Sequence, residues 1–133
     1  MHHTKQHFFI IFVLILTYQN GVFAAALGSR EQIDMFQHAE CGIACMQEDN
    51  LAEGMKYFAQ VYAGSDPEAL NEVGVWYAKS RQRVFAIDFF NKALGIEGYP
   101  FDHAVALNNL GAIRIELQQF GEAKKALKRA YRF

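Results

Sequence analysis

Hydrophobic and polar positions divide this chain into two unequal parts. Phe8 to Leu16 is an unbroken apolar run of nine residues. Beyond Leu27 the apolar residues never run so long. They recur at three- and four-residue spacing, the mark of helices that bury one face. Turn and cap signals cut this second part into six predicted helices. Ser29, with Gln32 as its capping-box partner, starts a helix that runs to about Gln47. Asp49-Asn50 turns the chain into a helix from Leu51 to Ala63. Gly64-Ser65-Asp66-Pro67 ends it, and Ser65 and Glu68 have capping-box spacing for a helix from Pro67 to Lys79. A helix over Arg83–Leu94 follows. Gly95 to Asp102, with Gly95, Gly98 and Pro100, reads as a loop. The last pair spans His103 to Leu117 and Phe120 to Tyr131. No segment alternates as a strand does, so the expected class is all-α.

An internal repeat organises the helices. Gly42, Gly74 and Gly111 each follow Cys41, Val73 or Leu110. Twelve residues after each glycine stands a small residue, namely Gly54, Ala86 and Ala123. Four further on come Phe58, Phe90 and Leu127, and three beyond those Val61, Ala93 and Ala130. The glycines are 32 and 37 residues apart, which brackets a period of about 34. With Tyr77 three residues after Gly74, the second copy reads Val73-Gly74, Tyr77, Ala86, Phe90, Ala93. This spacing resembles the tetratricopeptide repeat (TPR), whose pattern runs L-G-x2-Y and then A-x3-F. The third copy keeps Leu110-Gly111, Ala123 and Ala130 but has Arg114 where an aromatic is usual. The first departs at Cys41, Cys45 and Gly54. The resemblance covers about Gln37 to Phe133. It implies an α-α superhelix, or solenoid, of about three helix pairs, with repeats at about 35–66, 67–102 and 103–133. Each pair cannot bury its apolar face alone, so neighbours stack into a shared core.

The first part of the chain reads differently. A polar start containing Lys5, the apolar run, and the small residues after Gln19-Asn20-Gly21 form the layout of a secretory signal peptide. Cleavage is expected after Ala24 or after Ala26, which makes 1–26 a signal and 27–133 the folded domain. An uncleaved anchor helix is the alternative. The expected location is exported: periplasmic if the source is bacterial, otherwise secreted.

Charge narrows the partners. With 13 basic and 14 acidic residues and a net charge of −1, the chain lacks the basic surplus of a nucleic-acid binder. The charge is nonetheless polarised. Leu27 to Glu72 holds two basic and nine acidic residues, and Arg114 to Phe133 holds six basic and two acidic. Lys124, Lys125, Lys128, Arg129 and Arg132 form a basic edge. With Leu127, Tyr131 and Phe133 it offers a weak contact for an anionic membrane or an acidic protein. The same edge, if open, suits self-association into a homo-oligomer.

In proteins with the repeat that this chain resembles, the first helix of each pair lines a concave groove that binds a protein or peptide segment. Carried over by register, that face has Phe36, Ile43 and Met46 from the first copy. It has Glu68, Asn71, Val75 and Lys79 from the second, and Asn108, Asn109 and Ile115 from the third. Side-chain amides both donate to and accept from a peptide backbone. Lys79 is the single basic residue among these, a departure from members that clamp a carboxylate terminus with several. The function expected is a non-catalytic adaptor or assembly factor, with no cofactor. No nucleophile, zinc-protease or phosphate-loop motif is present. Cys41 and Cys45 lie four apart on one helix face, with His38 on the same stripe. They read as small buried residues, as a strained or intermolecular disulfide, or as half of a metal site.

Overall fold

The computed structural model describes residues 34–132. The signal-peptide reading and the Ser29 cap fall outside them. Six α-helices occur among the described residues: α1 (Met35–Gln47), α2 (Leu51–Ala63), α3 (Pro67–Lys79), α4 (Arg83–Leu94), α5 (Pro100–Glu116) and α6 (Phe120–Ala130). The class is all-α, as the periodicity requires, and no strand occurs among these residues.

Local chemistry sets the boundaries. At α3 the cap is Asp66, not Ser65. Its carboxylate accepts from the Glu68 N–H at 3.0 Å and the Ala69 N–H at 3.2 Å. Asp66 thereby satisfies two of the donors that a helix start leaves open. Pro67 takes the first helical position, where its missing N–H costs nothing. The same logic corrects the next boundary. Pro100 opens α5, so the helix begins three residues before His103 and the third repeat unit begins with it. Gly98, at φ 90°, makes the turn before it, a conformation that side chains resist.

Each pair is closed by the same turn. Asp49, Arg81 and Gln118 have φ of 59°, 60° and 59°. All three stand seven residues after the repeat glycine. Across each turn the next residue bonds back five positions: Asn50 N–H to Cys45 O, Gln82 to Tyr77, Gln119 to Arg114, at 2.9, 2.9 and 2.8 Å. The left-handed residue itself donates to Met46, Ala78 or Ile115. These are Schellman closures, repeated three times without a glycine in the left-handed position.

The pairs stack through their first helices. α1 packs with α2, α3 with α4 and α5 with α6. α1 also meets α3, and α3 meets α5, so the three first helices form one continuous layer. α2 meets α3, and α4 meets α5, which places each first helix against the pair before it. This is a solenoid of helix pairs. Its core is one cluster built on Phe58, Val61, Leu70, Val73, Phe90 and Ala93. Phe58 packs at a tilt against Trp76 and Tyr77, ring centroids 5.4 Å apart in both cases, across the boundary between the first and second pairs. Arg83 Nε bonds Glu116 Oε2 at 2.8 Å across the next boundary, and His103 Nε2 reaches the Ile96 carbonyl.

Candidate functional site

A helix puts residues i, i+3 or i+4 and i+7 on one stripe. In α3 the stripe Glu68, Asn71, Glu72, Val75 lies between its two neighbours in the layer of first helices. Phe36 of α1 flanks it on one side, and Phe101, Asp102 and Val105 of α5 on the other. Together they line a cavity of about 320 Å³. Three carboxylates, Glu68, Glu72 and Asp102, belong to this lining, and among the described residues no basic side chain does. The remaining wall is apolar, with Phe101 77% exposed at its rim.

Asn71 sits at the centre and is 4% exposed. Its Nδ2 donates to the Asp102 carbonyl at 2.9 Å, tying α3 to the first turn of α5. Its Oδ1 is buried with no hydrogen-bond partner. An acceptor in that state costs about 1–3 kcal/mol in a folded protein. Sequence reasoning places Asn71 on the surface as a peptide contact. In the structure it is a buried strut whose second polar atom stays unsatisfied.

The other expected groove residues divide. Phe36, Glu68 and Val75 gather with Asn71 around the cavity. Met46 does not belong there, because its sulfur and methyl fill the space beside Gly54, 3.0 Å from where a Cβ would stand. A glycine in place of the usual alanine leaves a gap, and a flexible thioether fills it. Ile43 is half-buried against the core. Lys79 and Asn108 are exposed and outside the cavity. Asn109 turns its amide onto its own helix, donating to the Val105 carbonyl at 2.9 Å. Val105 lies inside the expected helix but off the face carried over by register, and Phe101 and Asp102 escape a sequence reading that treats 95–102 as loop. Pro100, favoured at a first helical position, is the signal that marks them as helical.

Ile115 lines a second, larger groove. It lies on the last pair, about 690 Å³ in volume, between Ile115 of α5 and Phe120, Ala123, Lys124, Leu127 and Lys128 of α6. Tyr131 and Arg132 complete it. Ala130 is buried, whereas Leu127, expected at the open edge, is 38% exposed.

The cysteines are free thiols, half-buried on α1. Burial pushes the Cys41 thiol up, and the Glu40 carboxylate adds to it. Burial does the same at Cys45, with Cys41, Glu53 and Glu48 contributing. Both are therefore held as neutral thiols, the opposite of the activation that a nucleophilic or metal-binding cysteine needs. His38 packs edge-on against Tyr57, ring centroids 5.7 Å apart. No group of three or more His, Cys, Asp or Glu among the described residues is placed to hold a metal ion. No described helix is long and apolar enough to cross a membrane. No family model matches the chain, and no curated protein or solved structure matches it either.

Proposed function

We propose that this chain is a non-catalytic interaction module of the tetratricopeptide-repeat kind. It works as an exported adaptor or assembly factor that holds a segment of another protein against its first-helix layer. The observation that carries the reading is the cavity built by α1, α3 and α5 together, which no single helix pair forms. Its chemistry selects the segment. The carboxylates of Glu72 and Asp102 in its lining favour a lysine or arginine side chain or a free amine. Phe36, Val75, Phe101 and Val105 favour an apolar neighbour beside that cation. The exposed Phe101 ring is suited to close over a cationic or aliphatic side chain.

Reading the chain as an adaptor and not an enzyme is supported by the thiols, which burial and nearby carboxylates keep protonated. The decisive experiment places a photo-crosslinking amino acid at Phe101 in the native cell. A reproducible adduct with a different protein, reduced at least about tenfold by Glu72→Lys, is expected. Adducts with copies of this chain alone, or adducts indifferent to Glu72→Lys, would remove the reading.

A further inference from the structure

The repeat itself says what the groove on the last pair is for. In the first two pairs the corresponding surface is covered by the first helix of the following pair: α3 on α1–α2, and α5 on α3–α4. Its central residue shows the covering directly. Phe58 and Phe90 are 1% and 0% exposed, while Leu127, at the same repeat position, is 38% exposed. Among the described residues no helix packs on this third copy of the surface.

The complementary face lies at the other end of the same molecule. On α3 and α5 the positions one before the glycine, Val73 and Leu110, are buried; two after it, Ile113 is buried and Trp76 packs on Phe58 of the preceding pair. At those positions α1 has Cys41, half-buried, and Ala44, exposed. Charge fits as well. Lys124, Lys128 and Arg132 line the groove with no acidic side chain among them. Residues 35–50, α1 and the turn after it, carry Glu40, Glu48 and Asp49 and no lysine or arginine.

We infer that the groove on α5–α6 takes the α1 helix of a second copy of this chain, continuing the solenoid head to tail. The contact is heterologous, since one end of a molecule meets the other end of the next, so it propagates into linear oligomers and does not close as a two-fold dimer. It is separate from the concave cavity, and its success or failure leaves the segment-binding reading standing.

The test measures mass in solution for the full chain as isolated from expressing cells, from about 1 to about 500 μM. The expected result is a mass that climbs with concentration without a plateau at the dimer. Raising salt should weaken it. Two variants at exposed positions on opposite ends separate the faces. Lys124→Glu/Lys128→Glu/Arg132→Glu spoils the groove, and Ala44→Arg spoils the α1 face. Each alone should lower the association constant at least about tenfold. An equimolar mixture of the two should form a dimer and stop there, because it holds one intact groove and one intact α1 face. Matching circular dichroism and melting curves show that the variants fold, and Lys128→Glu alone substitutes if the triple change does not. A wild-type chain that stays monomeric overturns the inference, which is also the result if residues 1–33 of the same chain fill the groove. Ala44→Arg associating like the wild type overturns it as well, since that outcome means a groove-to-groove contact.

Discussion

A Cβ placed on Gly74 would lie 2.7 Å from Cε1 of Phe90, closer than real Cβ atoms approach. The same register sets Gly42 against Phe58, also at 2.7 Å, and Gly111 against Leu127 at 2.6 Å. Three helix crossings thus share one device. The first helix omits its side chain so that a bulky residue of the second can lie against its backbone. Ordinary helix propensity favours alanine over glycine by about 1 kcal/mol, so the crossing works against it.

The neighbour's freedom decides what an alanine does there. Phe90 is fully buried and its ring has nowhere to retreat. Gly74→Ala is therefore expected to destabilise by about 1–3 kcal/mol through overpacking, despite the propensity gain. Leu127 is partly exposed and free to turn away. Gly111→Ala should fall within about 1 kcal/mol of the wild type. Urea unfolding of both variants checks the contrast, and equal losses would show that the exposed leucine is no freer than the buried phenylalanine.

Gln118 and Arg81 are L-residues held in the left-handed region. That conformation costs about 1–2 kcal/mol for a residue with a Cβ. Gln118→Gly and Arg81→Gly relieve it but loosen the unfolded chain by about 0.5–1 kcal/mol. Each should raise stability by about 0.5–1 kcal/mol. A lower melting temperature in both would mean that the side chains contribute more to the turn than the backbone strain removes.

Asn71 offers a test of burial. Asn71→Ala loses the bond to the Asp102 carbonyl but also removes the unsatisfied Oδ1. The two effects oppose one another at about 1 kcal/mol and about 1–3 kcal/mol. The space left by the side chain adds a penalty, so a net change within about 1 kcal/mol is expected. Asn71→Asp puts a carboxylate with no donor into the same place. It should cost several times more at neutral pH, and the loss should shrink as acid protonates the new group. Pulse proteolysis across pH distinguishes the two substitutions. An aspartate variant as stable at neutral pH as in acid would show that water reaches this site.

The thiols set an alkaline limit. Burial, then neighbouring carboxylates, raise Cys41 and Cys45 above their ordinary value of 9.0, and burial raises Tyr57 above 10.0. In the fold these groups keep their protons after the unfolded chain has lost them. The stability they contribute is complete below the ordinary cysteine value, and it drains away as pH rises through that value toward the raised one. Melting temperature should fall between about pH 8 and about pH 10. Replacing both cysteines by serine should flatten that fall. The same groups predict slow alkylation at neutral pH relative to a free thiol. An unchanged pH profile in the double-serine variant would assign the alkaline limit elsewhere.

Much of this architecture is legible in the residues. Gly42, Gly74 and Gly111 with Phe58, Phe90 and Leu127 announce the repeat, because a close crossing needs a small residue opposite a large one at every turn of the pattern. Helix ends are less legible where two cap signals compete. Ser65 and Asp66 both suit a cap, and the carboxylate next to Pro67 is the one in reach of two free N–H groups. Pro100 reads as a breaker when taken with its two glycines, yet it is the first residue of α5. The groove was half legible. The spacing of Glu68, Asn71 and Val75 places them on one stripe, but Met46 leaves it, drawn inward by the space that Gly54 leaves.

The amino-acid pattern alone carries six helices, their pairing and their period, because these follow from local propensity and from apolar spacing along the chain. It also determined the polarity of charge from one end to the other. Two features belong to the packed molecule: Asn71 is a strut with an idle carbonyl, and Leu127 stays open where Phe58 and Phe90 are closed. Each of these depends on what lies across from a residue and not on what precedes it. Such a neighbour is supplied by a helix some thirty residues away, whose approach no local pattern states.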